Sequence, residues 1–166
     1  MARGRASSYT SQRETILAQA AVLFARHGYS GTSMNQVAAA CGISKPALYH
    51  YVRDKQQLVA TIAQEHVARL EAVVRDVLRL PLEPEPRLRE LIMRFMAEYA
   101  GAQDAHRVLT EDVRYLDTEA RERVIAAERR VVDAFAAAVA AVRPGAETFA
   151  MDKPLAMLLF GMINWM

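Results

Sequence analysis

Apolar residues return every three or four positions along almost the whole chain, the period of helices that each bury one face. Leu17, Ala20, Ala21 and Phe24 make the first stripe. Ahead of it, Ser11-Gln12-Arg13-Glu14 fits a capping box, in which the serine accepts from an orphan backbone N–H and the glutamate reaches back. Gly28 is placed to end that helix. Ser33-Met34-Asn35-Gln36 is a second capping box, opening a short helix that Gly42 must close. Ser44 caps a third, with Pro46 in its first turn, where a missing N–H costs nothing. This helix can reach only about Tyr51, because Asp54-Lys55-Gln56-Gln57 starts the next.

From Asp54 the stripe is long: Leu58, Ile62, His66, Leu70, Val73, Val77 and Leu80, broken by Pro81, Pro84 and Pro86. A helix of that length spans about 40 Å. Leu88, Leu91, Ile92, Phe95, Met96 and Tyr99 mark another helix, ended near Gly101. A shorter one covers about Asp104 to Leu116. Thr118 begins a longer one through Val124, Val131, Phe135 and Val139, stopped by Pro144-Gly145, and the last begins near Asp152. Residues 1–10 lack periodicity and hold two arginines, which predicts a flexible basic arm. No strand-like alternation and no internal repeat appears. The expected fold is all-α: a three-helix head over residues 11–53 and a larger helical body over 54–166.

Composition narrows the class. Of 166 residues 52% are hydrophobic and only 13 are Gly or Pro, which excludes disordered and collagen-like chains. One cysteine, Cys41, rules out an intramolecular disulfide framework. The start Met1-Ala2-Arg3-Gly4-Arg5 has no apolar run behind its arginines, so a secretory signal is not expected and a cytoplasmic location is. Charge is uneven: residues 1–60 carry seven Lys and Arg against Glu14 and Asp54, while the remainder holds 14 basic and 17 acidic residues. A basic head on a mildly acidic body points to a polyanion partner for the head.

Two short helices joined by a glycine turn, the second capped by serine, describe a helix-turn-helix. Val37, Ala38, Ile43, Ala47, Leu48 and Val52 supply its packed side, leaving Ser44, Lys45, Tyr49 and His50 outward. Such side chains suit phosphates or base edges in a major groove wide enough for one helix. The run from Ile16 to Ser33, continued by Gln36-Val37-Ala38, Gly42-Ile43-Ser44, Leu48-Tyr49-His50-Tyr51 and Lys55-Gln56-Gln57-Leu58, resembles the amino-terminal domain of TetR-family transcriptional repressors over residues 11–58. The resemblance implies a homodimer that blocks transcription at a palindromic double-stranded DNA operator until a small-molecule effector releases it. It also implies roles: Thr32 or Ser33 on a phosphate, Ser44, Lys45 and Ala47 at the bases, Tyr49 and His50 on backbone phosphates, and Lys55 on a phosphate at the start of the fourth helix.

The body carries softer signals. Met93, Phe95, Met96, Tyr99, Tyr115, Met157 and Met162 are adaptable walls for an apolar ligand, and equally good core. Asp112, a polar residue on a mostly apolar stripe, either orients a ligand or pairs with Arg107 or Arg94. The resemblance suggests a fatty or aromatic acid, or an acyl-CoA, as effector. Leu155, Leu158, Leu159, Met162, Ile163 and Met166 lie in a charge-free end segment too short to span a membrane, which reads as a dimer interface. The chain stops in mid-helix without a capping signal, so a further helix is expected beyond it. His27, His50, His66 and His106 form no metal-ligand pair, and neither a phosphate loop nor a nucleophile elbow appears. No cofactor, metal or catalytic activity is expected. A ligand-independent architectural DNA binder is the alternative, and a helical adaptor or enzyme a more distant one.

Overall fold

In the computed structural model, which describes residues 2–142 and 151–164, helices follow the apolar stripes closely. They are α1 (Ala2–Gly31), α2 (Met34–Ala40), α3 (Lys45–Leu48), α4 (Lys55–Leu78), α5 (Pro84–Gly101), α6 (Gln103–Glu111), a 3-10 turn (Val113–Tyr115), α7 (Thr118–Val142) and α8 (Asp152–Asn164). Among the described residues there is no strand. The expected stop at Pro144-Gly145 lies outside them.

The expected caps formed where the chain has no alternative to a turn. Ser33 Oγ accepts from the Gln36 N–H at 3.3 Å while Gln36 Oε1 accepts from the Ser33 N–H at 2.7 Å. Ser44 Oγ accepts from the Ala47 N–H at 3.2 Å, with Pro46 in the first turn of α3. Asp54 Oδ1 accepts from the Gln57 N–H at 2.7 Å, opening α4. Pro84 and Pro86, expected to separate helices, stand in the opening turn of α5, where their missing N–H groups break no helical bond.

Three expectations need correction. The capping box at Ser11 does not form: α1 begins at Ala2, so the expected flexible arm is helical over residues 2–10. Nothing there stops a helix, since the stretch contains no proline and opens on the strong formers Ala and Arg. Ser11 is thus an interior residue, and its carbonyl accepts from Thr15 Oγ1 at 3.0 Å. The third helix is shorter than expected, because after Leu48 the chain tightens: the N–H groups of His50 and Tyr51 bond three residues back, to Ala47 and Leu48. Likewise α6 ends at Glu111 and the 3-10 turn completes the segment to Tyr115.

The helices pack as two units, Met1–His66 with Ala102–Val124, and Val67–Gly101 with Ile125–Met166. The expected head, residues 11–53, lies wholly within the first. There α1 packs on α2 and α6, and α2 on α3. Ile16, Leu17, Ala20, Ala21, Phe24, Val37, Ala38, Leu48 and Val52 are all buried. The second unit is built around three phenylalanines. Phe95 and Phe135 meet edge to face at 4.6 Å, and Phe160 lies 4.9 Å from Phe135 and 5.8 Å from Phe95. Leu70, Val74, Val77, Leu91, Val131 and Ala156 close around them.

Gly28 interrupts α1 at φ 69° and ψ 171°, a region open essentially to glycine. A Cβ there would meet nothing within 4 Å, so backbone strain alone opposes a side chain. Gly28→Ala is expected to lower the unfolding free energy by about 1–3 kcal/mol, read from the urea midpoint. An unchanged midpoint would contradict the strain.

Candidate nucleic-acid interface

The caps of α2 and α3 decide which side chains are left facing outward. Val37, Ala38 and Leu48 turn inward, and Gly42 at φ 65° carries the chain between the two helices, with the Ile43 N–H closing on Ala38 O at 3.0 Å. Ser33, Ser44, Lys45, Tyr49 and His50 are consequently exposed, and Ala47 is half-buried. Tyr49 keeps 45% of its surface, so its ring is not core. Five of the eight expected contact residues therefore share an accessible surface with hydroxyl, ammonium, phenol and imidazole groups.

Two of the eight are turned inward. Thr32 is 2% exposed, and its hydroxyl donates to Leu23 O at 3.1 Å, so it holds the end of α1 instead of presenting a hydroxyl to solvent. Lys55 directs its ammonium at two main-chain carbonyls, Tyr29 O at 2.7 Å and Thr32 O at 2.9 Å, and lies 4.1 Å above the Tyr29 ring. The Thr32 carbonyl lies past the end of α1 and Tyr29 O otherwise receives only a long bond of 3.4 Å from the Thr32 N–H, which makes a partly buried cation a suitable partner for both. Two of its three N–H bonds are thereby engaged.

Tyr29 is the centre of a wider arrangement that no spacing rule announces. Its N–H donates to Asp112 Oδ1 at 3.2 Å, and its ring stacks on Tyr115 at 4.7 Å. Gln56 Nε2 donates to Tyr115 O at 3.1 Å. Asp112 is 3% exposed; burial pushes its carboxyl above the ordinary aspartate range against the lowering effect of the Tyr29 N–H, Arg114 and Lys55. Asp112 thus binds the turn after α1 and pairs with neither Arg107 nor Arg94, whose partners are Glu111 and Glu90. A second unforeseen residue is Tyr9. It stacks on Tyr51 at 4.7 Å, and its hydroxyl lies 3.5 Å from His50 O, joining α1 to the exit of α3. Tyr9 sits in the segment without periodicity, so only its aromatic character marked it.

The expected ligand residues are divided between the two units. Asp112 and Tyr115 belong to the first unit, and Met93, Met96, Tyr99 and Met157 to the second. Met93 and Met157 are 60% and 56% exposed: each is offset by one or two residues from the buried positions of its helix, Leu91 and Phe95 or Ala156 and Phe160, and so faces away. Met96 and Tyr99 are half-buried, and Tyr99 meets Phe95 edge to face at 5.8 Å. Burial, reinforced by Glu128, pushes the Tyr99 hydroxyl up to about 12, and Glu128 is itself pushed up by burial. Glu128 was not among the expected residues.

The expected dimer residues divide too. Leu158 and Met162 are 64% and 69% exposed, whereas Leu155 and Leu159 are half-buried, Leu159 against the phenylalanine core. With Met157 they make the outward face of α8 apolar. The side chain of Ile163 and all of Met166 lie outside the described residues. Among the described residues no cluster of metal-ligating side chains occurs and no helix is long and apolar enough to cross a membrane.

Comparison with known proteins accords with this layout. Residues 16–62 match the family described as bacterial regulatory proteins, tetR family, and residues 81–166 match the tetracyclin repressor-like, C-terminal domain. A crystal structure of a TetR-family transcriptional regulator from Bordetella parapertussis superposes with a TM-score of 0.87 at 36% identity, covering 92% of this chain and 80% of that one. The crystal structure of AibR in complex with isovaleryl coenzyme A and operator DNA gives 0.80 at 27% identity, covering 93% and 84%. The HTH-type transcriptional activator FasR of Mycolicibacterium smegmatis is 27% identical over 132 residues, or 80% of this chain; the chain spans 60% of that relative's length.

Asp112 gives the testable consequence. Asp112→Ala strands the Tyr29 N–H and is expected to cost about 1–3 kcal/mol of stability, while Asp112→Asn keeps an acceptor and costs less. A folded-state pKa above the unfolded one means that the carboxyl favours folding most when protonated. The stability of the wild type relative to Asp112→Asn should therefore fall as pH rises through the carboxylate range to the raised pKa, and level off above it. Urea unfolding of the three proteins across that range checks both the order and the slope.

Proposed function

This chain belongs to the TetR family of bacterial regulatory proteins, a family of regulators and not of enzymes, and from that premise we propose that it is a dimeric transcriptional repressor of a palindromic operator, released by a small effector. The observation that carries the reading is the exposed set Ser33, Ser44, Lys45, Tyr49 and His50 on a helix pair whose caps and glycine turn hold it in shape. Rigid presentation matters because a disordered loop would lose ordering entropy on every docking event.

The roles divide by chemistry. Ser33, Tyr49 and His50 bind phosphate oxygens, which set affinity and register, and Ser44, Lys45 and the Ala47 methyl read base edges. Lys55 and Thr32 act behind this surface, holding the turn from which α2 starts; the ammonium of Lys55 adds positive potential to DNA approaching nearby. Two copies on one DNA face need half-sites a helical turn apart, about 34–36 Å, or a multiple. The apolar outward face of α8, with Met157, Leu158 and Met162, supplies the surface by which two copies join.

A hydrophobic or acyl-type effector fits the relation to AibR, whose complex holds isovaleryl coenzyme A and operator DNA. Release requires the effector to prefer a conformation with misplaced recognition helices, and a full switch in population needs about 5.5 kcal/mol of differential binding.

Selection of DNA fragments from a random pool by the purified protein, followed by anisotropy titrations at several salt concentrations, tests the reading. Lys45→Ala is expected to change which sequences are selected as well as affinity. Tyr49→Phe and His50→Ala are expected to weaken specific and random DNA alike, lowering the salt slope only where a charge is lost, by about 0.9 per phosphate contact. Equal loss on all DNA for Lys45→Ala would remove its base-reading role, and selection of no sequence at all would remove the operator.

A further inference from the structure

Glu71, Val74, Arg75 and Leu78 recur along α4 at intervals of three and four residues and so share one face of the helix, with Arg79 in the turn just past its end. With Arg130 and Val131 of α7 they line an open groove of about 380 Å³ within the second unit. The groove has a dry floor and a cationic rim. Val74 and Val131 are 8% and 4% exposed, Leu78 stands half out of the wall, and three arginines stand against one glutamate.

The charges are not arranged as on an ordinary solvated helix face. Glu71 and Arg75 have the spacing and order that favour a pair on one helix. Glu71 instead accepts from Arg130 Nε across the groove at 2.6 Å. Arg75 and Arg79 are left to share Asp76, at 3.8 Å and 4.0 Å. Both separations exceed a hydrogen bond, so neither contact engages the guanidinium forks. Two adjacent guanidinium groups beside an apolar floor are matched by one kind of ligand, an anion with a hydrocarbon tail. Planar guanidinium forks suit carboxylate and phosphate oxygens in particular. The volume falls within the range of small-molecule sites, and the stretch of α4 from Glu71 to Leu78 runs about 10 Å, the scale of a medium-length alkyl chain.

We propose that this groove binds a single-tailed amphiphilic anion, its alkyl chain along Val74, Leu78 and Val131 and its carboxylate or phosphate head on Arg75 and Arg79. The head displaces no native hydrogen bond, since Glu71 is already held by Arg130. The proposal concerns binding by the second unit and does not rest on the DNA-binding reading.

Calorimetric titration of the full chain with decanoate, decyl phosphate, decanol and decyltrimethylammonium, each below its micelle concentration, tests it. Both anions are expected to bind one per chain, with the alcohol and the cation weaker by about tenfold or more, the worth of a charge-assisted hydrogen bond. Arg75→Glu with Arg79→Glu is expected to remove the preference for anions, and Leu78→Asp to weaken both anions by a similar factor. All three positions are exposed, so thermal melts should remain near the wild type and separate lost binding from lost folding. Undiminished anion binding in the arginine variant, or equal affinity for the cationic amphiphile, would overturn the proposal. So would an arginine variant that changes only the sedimentation of the protein, which would make the groove a contact between copies. Operator affinity at saturating decanoate is a separate readout: it bears on the effector proposed above and leaves the binding result untouched.

Discussion

Where Gly28 kinks α1, the main chain of Tyr29 is left short of helical partners, its carbonyl receiving only a long bond of 3.4 Å from the Thr32 N–H, and an underbonded peptide group away from water is costly. The molecule answers with two side chains of opposite charge. Asp112 takes the N–H and Lys55 takes the C=O, and Lys55 adds the carbonyl of Thr32. The two peptide groups that flank Tyr29 thereby tie the end of α1 to the start of α4 and to the residue that closes α6. Tyr115 on the Tyr29 ring and Gln56 on the Tyr115 carbonyl reinforce the same junction. Since α2 begins at Met34, five residues beyond Tyr29, the placement of the exposed helix pair depends on this node. A lysine and an aspartate that look like contact residues in isolation are what keeps the contact surface in place.

The two units use different means to be specific. The first is rich in directed polar contacts: a capping box at Ser33, a serine cap at Ser44, a buried threonine hydroxyl, a lysine on carbonyls and an aspartate on an N–H. Directed contacts hold a surface in one geometry. The second unit relies on aromatic packing among Phe95, Phe135 and Phe160, and its polar features include Arg69–Glu98 and Lys153–Asp133 ion pairs and an arginine-rimmed groove. Packing of that kind tolerates substitution of one apolar residue by another. A family model can accordingly match the whole of residues 81–166 as a helical domain without specifying what it binds.

Legibility in the sequence followed the range of the interaction. Ser33 with Gln36 and Ser44 with Ala47 are contacts between residues three apart, and both formed as their spacing predicted. Ser11 with Glu14 has the same spacing and did not form, because a cap needs a preceding break and residues 2–10 contain none strong enough. Lys55 stands out by its place at the start of α4, but its direction does not follow from that place: the carbonyls it serves are 23 and 26 residues away in the chain. Asp112 was rightly flagged as a polar residue on an apolar stripe, and its partner, 83 residues distant, lay beyond any local rule.

Local order was therefore decided by the sequence itself. Helical period, prolines, glycines and serine caps set the all-α character, the helix-turn-helix and the outward set Ser44, Lys45, Tyr49 and His50, because each depends on neighbours within about one helical turn. Only tertiary structure decided what long side chains do at a distance. It sent Lys55 and Thr32 inward, gave Asp112 to Tyr29, drew Glu71 across to Arg130 and left Met93, Met157, Leu158 and Met162 facing out. A side chain chooses among partners by which unsatisfied group or apolar face the fold brings within reach, and that is settled when helices far apart in sequence come together.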